Sequence, residues 1–490
     1  MNPAAYKRFN ALKVKGAPPG EFSGICYDSR QAKPGYAFVA LRGALADGHD
    51  YVQDAISRGA STVVLEKEPA SPLPPEVTAI YVTDTREALS RMAEYYYDFP
   101  SKTLGLIGVT GTNGKTTITY LLSSILAEAG KKWGRIGTIG YDIMGKTYAS
   151  VNTTPESADL QRMMRTILDE GGEYCLLEVS SHALDQGRVE RLCFRCAIFT
   201  NLSQDHLDYH GDMETYFSAK SLLFTKHSPG VSVINVDDPW SERLLGMIKG
   251  KVVTYGLKNP ADVTVKNVTM SLVGANFTLS TPQGQAVFQT KLAGVHNLYN
   301  IMAAAAAAAH DGIPLKKIAA GVGKCQGAPG RFEKVDIGQP FAVIVDYAHT
   351  PDALENLLAA AKQLNPGRIV TLFGCGGDRD KSKRPLMGRV AWDHSDLVVV
   401  TSDNPRTEDP EKIISDILIG IPRHEREGRL LAITDRSEAI NKTISMSKKG
   451  DVVLIAGKGH EDYQIIGGEK IHFDDREEAL KALRKMYGHV

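Results

Sequence analysis

The chain has 490 residues, 57 basic and 57 acidic, with 43% hydrophobic and 23% charged side chains. At roughly 100–200 residues per domain this predicts several domains, each long enough to bury its own core. Balanced charge supplies no global field for nucleic acid or an anionic membrane surface, so any anionic ligand must be held by local groups.

The predicted fold class is α/β, in three regions. The first, residues 1–100, carries short β-type runs at Tyr36–Leu41, Thr62–Leu65 and Ala79–Val82, a helix at Arg86–Tyr97, and a proline-rich loop at Pro69–Pro75. The second, residues 101–330, opens with the apolar run Leu104–Val109, a Gly-rich turn and the periodic segment Ile118–Gly130, which reads as strand, loop, helix. Strands at Tyr174–Val179, Cys196–Phe199 and Val231–Asn235 predict a mostly parallel sheet. Val252–Leu292 alternates like an antiparallel layer, and His296–His310 reads as a tightly packed helix. In the third, residues 331–490, apolar runs lead into DYAHTP, GCGGDRDKSKRP, TSDNPRTEDP and GKGHED. That alternation predicts βα units, and open sheets bind ligands beyond the carboxyl ends of their strands, so the four clusters should converge on one crevice.

No apolar run approaches the roughly 18 residues of a membrane span, and MNPAAYKRFNALKVKG lacks the apolar core of a secretory signal. Six scattered cysteines fit a reducing, cytoplasmic setting. Cys193 and Cys196 form one CxxC without the partners of a zinc site and read as buried thiols.

GTNGKTT, Gly111 to Thr117, has the parts of a phosphate loop. Gly111 and Gly114 free the backbone N–H groups to face one anion, Lys115 brings charge, Thr116 a hydroxyl for Mg²⁺, and the next helix its positive end. The strict pattern GxxxxGK[ST] is not met, because Val109 stands where the first glycine should be. Glu178, ending the run YCLLE, is placed either to hold Mg²⁺ or to serve as a helix cap or salt-bridge partner. TNLSQDHLDYHG, Thr200 to Gly211, groups Asp205, His206, Asp208 and His210. It reads as a metal site, a catalytic loop or a capped turn. Lys220, alone on an amphipathic segment, reads from spacing as solvated. Arg379, Asp403, Asn404 and Arg406 combine planar forks, an acceptor and an amide, a set able to recognise a substrate with both ammonium and carboxylate groups.

GVTGTNGKTT, NTTPES, EVSSHAL, TNLSQDHLDYHG, YFSAK, GVHNLYN, GRFE, DYAHTP, GCGGDRD, DNPR and GKGHE occur in the order found in Mur ligases. DSRQAKPGYAFVALRG and DGHDY resemble that family's first domain, so the resemblance covers nearly the whole chain. It implies an N-terminal α/β UDP-binding domain, a central P-loop ATPase and a C-terminal Rossmann-like domain that brings an amino acid. It also implies a monomeric cytoplasmic enzyme of peptidoglycan precursor synthesis that uses ATP and Mg²⁺. By resemblance, Ser29 contacts uridine. Asn152, Thr153, Thr154, Ser180, Gln186 and Arg188 hold the muramoyl dipeptide. Gly111, Thr112, Asn113, Gly114, Lys115, Thr116, Thr117, Asn297, Arg331 and Asp346 meet ATP. Glu178, His206 and Lys220, the last as a carbamate, join Thr116 at the metal, with Lys115, His206 and Lys220 catalytic.

DNPR at 403–406 resembles the branch that adds meso-2,6-diaminopimelate to UDP-N-acetylmuramoyl-L-alanyl-D-glutamate; the lysine-adding branch lacks the arginine. Arg379, Asp403, Asn404, Pro405, Arg406, Gly457 and Glu461 then bind diaminopimelate. The base that deprotonates the amine is open, with His349 a candidate. A lysine-adding ligase, a folylpolyglutamate synthase-like ligase and a P-loop switch protein are the alternatives.

Overall fold

The computed structural model describes residues 8–17, 20–43, 46–271, 274–364 and 366–488. The first domain is a five-stranded sheet in the order Lys13–Gly16, Thr78–Tyr81, Thr62–Leu65, Tyr36–Val39, Gly24–Cys26. Only the pairing of Lys13–Gly16 is antiparallel. The helix Thr85–Tyr96, capped by the Asp84 carboxylate, covers one face with Leu89, Met92 and Ala93.

The central sheet has eight strands. Six are parallel, in the order Val252–Tyr255, Val231–Asn235, Cys196–Phe199, Gly105–Thr110, Tyr174–Glu178, Trp133–Ile136. A hairpin, Tyr141–Ile143 and Lys146–Tyr148, extends the last edge antiparallel. Val252–Tyr255 was expected in the antiparallel layer. It instead pairs parallel with Val231–Asn235, and the separate antiparallel sheet begins at Thr264. The difference is physical: Val252 to Thr254 are only half-buried, as suits an edge strand. Helix Lys115–Glu128 buries Ile118, Leu121, Leu122, Ile125 and Leu126, a spacing of three and four residues. Buried Ala303 to Ala309 of helix Val295–His310 let that helix lie close beside it.

The third domain is a six-stranded sheet in the order Glu333–Lys334, Ala342–Asp346, Val452–Ala456, Ile369–Phe373, Leu397–Val400, Leu430–Ala432, parallel except for the first. Both faces are covered. Ile344 and Leu454 enter one core, Val343 and Ile455 the other, which is why these strands read as unbroken apolar runs. Cys193, expected buried, is exposed, while Cys196 is buried in its strand. No helix among the described residues is long and apolar enough to cross a membrane.

Candidate active site

Three parallel strands set out the centre. Glu178 lies opposite Val109 and Phe199 opposite Thr110, so the phosphate loop, the Glu178 turn and the Thr200–Gly211 segment leave the sheet side by side. Gly111 takes φ 142°, and a Cβ there would overlap the Thr200 hydroxyl. Asn201 holds the loop from outside: its carbonyl accepts from Thr112 N at 2.9 Å and its side-chain oxygen from Asn113 N at 2.9 Å. Lys115 Nζ donates to the Gly111 and Thr112 carbonyls at 2.8 Å each. Burial lowers its pKa, with Glu178 and Asp205 opposing.

Glu178 is buried and accepts from Thr116 Oγ1 at 2.9 Å, Thr138 N at 3.1 Å and Thr138 Oγ1 at 3.0 Å. Among the described residues it is neither a helix cap nor half of a salt bridge. The same Thr138 hydroxyl meets Thr153 Oγ1 at 3.1 Å. Thr154 Oγ1 donates to the Glu178 carbonyl at 2.7 Å and accepts from Ser180 N at 3.0 Å. Arg188 donates to the Thr154 carbonyl at 3.0 Å and to Gln186 Oε1 at 2.7 Å. Five of the six residues expected at the muramoyl dipeptide are thus one bonded network with Glu178. Asn152 stands outside it, its carbonyl accepting from Tyr141 Oη at 2.7 Å. Ser29 stands apart: it is buried, its hydroxyl bonds Asp54, and Tyr27, Asp28 and Gln31 line the ~580 Å³ cleft toward the central domain.

Lys220 is not solvated. It is 2% exposed, its Nζ donates to the Gly111 carbonyl at 2.9 Å, and the Tyr216 ring centroid lies 4.6 Å away. Burial, then repulsion from Lys115, lowers its pKa far below a lysine's ordinary value. The shift favours the neutral amine, the form that adds CO₂. His206 takes a left-handed φ of 55°, its Nε2 3.4 Å from Asp205 Oδ2, and burial holds its imidazole neutral. No group of three His, Cys, Asp or Glu side chains among the described residues forms a ready metal cage. Glu178 and Thr116 are hard oxygen donors, and a carbamate would add a third. That set fits Mg²⁺, which takes carboxylates and fills its remaining positions with phosphate and water oxygens.

A cavity of about 260 Å³ lies between the central and third domains and is lined by Asn113, Gly114, Thr117, Asn297, Arg331 and Asp346, six of the residues expected at ATP. Asp346 fixes its own loop by accepting from Phe332 N at 2.7 Å and Ala348 N at 2.8 Å, and Arg331 stacks 4.5 Å over the Tyr347 ring. Asp352 bridges the two domains, accepting from Asn113 Nδ2 at 2.8 Å and Ser203 Oγ at 3.0 Å.

A second cavity, about 740 Å³, receives all four strand-end clusters: His349, Arg379, Asp403 with Asn404 and Arg406, and Gly457 with Glu461. Asn152, Thr153 and His206 line its opposite wall. Asn404 Nδ2 donates to Glu461 Oε2 at 2.8 Å; Arg406 Nη1 donates to the Gly377 carbonyl at 2.7 Å. Gly457 has φ 118°, and a Cβ there would come within 2.6 Å of Asp403 Oδ2. Pro405 carries the chain between Asn404 and Arg406, its carbonyl packed where a Cβ on Gly377 would lie. Thr138 and Lys458 were not singled out in the sequence. Lys458 is fully buried and donates to Asn404 Oδ1 at 3.3 Å and Glu461 Oε2 at 3.2 Å.

Three family models match the chain: the Mur ligase family catalytic domain over residues 21–97, the Mur ligase middle domain over 109–308, and the Mur ligase glutamate ligase domain over 330–459. This chain belongs to the Mur ligase family. Like other Mur ligases it is an ATP-dependent ligase of three domains. A relative from Geobacillus kaustophilus, named UDP-N-acetylmuramoyl-L-alanyl-D-glutamate–2,6-diaminopimelate ligase, is 47% identical over 94% of both chains. A solved structure carrying that enzyme name is 36% identical over 96% of both chains, with a TM-score of 0.67. A Mur ligase from Acinetobacter baumannii, MurF, shares the fold at 23% identity and a TM-score of 0.69, over 93% of this chain and 95% of that one.

Proposed function

We propose that this ligase joins the amine of meso-2,6-diaminopimelate to the D-glutamate γ-carboxylate of UDP-N-acetylmuramoyl-L-alanyl-D-glutamate, in cytoplasmic peptidoglycan precursor synthesis. One observation carries the reading. The muramoyl-side residues Asn152 and Thr153 face Arg379, Asp403, Asn404, Arg406 and Glu461 across a single cavity that also contains His206. Bound ATP supplies the phosphoryl group that activates the carboxylate, and Mg²⁺ offsets the charge of the phosphates.

The chain's own groups do the rest. Gly111 to Thr117 cradle the phosphates, with Lys115 leaving its loop carbonyls to meet them. Thr116, Glu178, His206 and Lys220, the last as a carbamate, would hold the metal. Asn297, Arg331 and Asp346 receive the nucleoside end. Thr153, Thr154, Ser180, Gln186 and Arg188 fix the dipeptide so that its carboxylate, once an acyl phosphate, faces the incoming amine; Ser29 orients the uridine end. Arg379 and Arg406 take a carboxylate of diaminopimelate, while Asp403 and Glu461 take an ammonium. His349 Nδ1 donates to the Tyr347 carbonyl, which leaves Nε2 to accept the amine's proton. Amine attack expels phosphate, and holding both partners in one cavity supplies effective molarity.

The test is phosphate release measured with ATP alone, with each substrate omitted, and with L-lysine competing against diaminopimelate. Release that requires both substrates and discriminates against lysine is expected. Full-rate release with ATP alone sinks the ligase reading, and equal use of lysine sinks the diaminopimelate assignment.

A further inference from the structure

The two arginines assigned to diaminopimelate stand on different loops, Arg379 after the strand Ile369–Phe373 and Arg406 after Leu397–Val400. Main-chain contact between these loops includes the bond from Gly377 N to the Asn404 carbonyl at 2.9 Å. Side chains bind them more extensively. The Asp378 carboxylate accepts from Thr407 N at 3.1 Å and from Thr407 Oγ1 at 2.9 Å. In return, Asp378 N donates to Glu408 Oε1 at 2.6 Å. Glu408 is itself held by Arg384, which reaches Oε2 at 3.0 Å and Oε1 at 2.9 Å. The Arg384 side chain is 1% exposed and also binds Asp416 Oδ2 at 2.9 Å and the Gly376 carbonyl at 3.3 Å.

We propose that Asp378 and Thr407, seated on Glu408 and Arg384, form a clasp that sets the spacing of Arg379 and Arg406, and so determines selection of an amino acid carrying a second carboxylate. The inference rests on the functional reading above. None of these four residues needs to touch substrate; they are positioning residues. Two features make the clasp selective rather than merely supportive. Asp378 has φ 53°, a left-handed posture uncommon outside glycine, and it immediately precedes Arg379. Thr407 immediately follows Arg406, which is itself left-handed at φ 53°. The clasp therefore joins the backbone neighbours of both guanidinium groups. Planar forks reward accurate placement on a carboxylate and lose steeply when displaced by an ångström. L-lysine lacks the second carboxylate, so its binding does not depend on that spacing.

Thr407 and Asp378 are exposed, so their variants should fold. For Thr407→Val and Asp378→Asn, loss of charge-assisted bonds predicts a rise of about five- to tenfold in KM for diaminopimelate, with kcat and KM for ATP within about twofold of wild type. Preference for diaminopimelate over L-lysine should fall by the same factor. Thr407→Ser, which keeps the hydroxyl, should restore it, and the double variant should be no worse than the poorer single one. An unchanged KM for diaminopimelate overturns the clasp, as does an equal rise in KM for ATP, which marks general loosening. In the same assay, wild-type phosphate release indifferent to diaminopimelate overturns the functional reading, and the clasp's role with it.

Discussion

Glu178→Gln separates a metal-binding carboxylate from a structural one. The side chain is 1% exposed and accepts three hydrogen bonds, from Thr116 Oγ1, Thr138 N and Thr138 Oγ1. Glutamine keeps the volume and one acceptor oxygen, and both threonine hydroxyls can turn to accept from its amide. Bonds to an ionised acceptor are worth about 1.5–3 kcal/mol and neutral ones about 0.5–1.5 kcal/mol, so three weakened bonds cost about 3 kcal/mol. Against this, a neutral amide escapes the several kcal/mol of desolvation that a buried charge carries. The two oppose each other, and unfolding free energy should stay within about 1.5 kcal/mol of wild type. Activity should not. Losing an outer-shell partner of a metal ligand costs about 10–100-fold, so losing the ligand itself should lower kcat/KM by more than about 100-fold. The readouts are urea unfolding, phosphate release, and the Mg²⁺-dependent rise in Tm with ATP, which should vanish in the variant. Near-normal turnover refutes the metal role. A collapse in stability makes Glu178 a structural residue.

Thr138→Val removes the hydroxyl that joins Glu178 to Thr153. It should lower kcat/KM by about 10–100-fold with little change in Tm, and Thr138→Ser should recover most of it; steady-state kinetics of the pair decide. Lys220→Gln cannot become an anion, so turnover should drop by at least about 100-fold, and isotope-labelled bicarbonate should give a protein-bound carbonyl signal in wild type only. Arg436 and Asp475 form a fully buried pair, with two bonds of 2.7 Å between them. Arg436→Met strands the carboxylate and should cost about 3–5 kcal/mol in urea unfolding, whereas Arg436→Met with Asp475→Leu should recover most of that loss.

What was legible in the sequence followed periodicity. The strand Gly105–Thr110, its glycine turn and the helix Lys115–Glu128 combine a short apolar run with i, i+3, i+4 spacing, signals a chain carries locally. The convergence of four polar clusters followed from one topological rule about strand ends. The failures share a different cause: each concerns a partner distant in sequence. Val252–Tyr255 reads equally as either kind of strand until Val231–Asn235 is found beside it. Lys220 reads as solvated because one lysine on a helix usually is, yet it falls on the buried side of helix Met213–Thr225, with Tyr216, Phe217, Ala219, Leu223 and Phe224. Glu214, Thr215 and Ser218 form the exposed stripe, and only the distant Gly111 carbonyl shows that Lys220 points the other way. Thr138 gave no such hint. It sits in the plain segment GTIGY and gains its role only because the turn before Tyr141–Ile143 folds across Glu178. Arg384 and Arg436 carry no local mark, and burial with carboxylates is what distinguishes them. Local pattern therefore located groups that line the two cavities, on loops set by local turn chemistry. The groups that hold those loops in register belong to tertiary structure, and this is where variants should alter specificity without abolishing turnover.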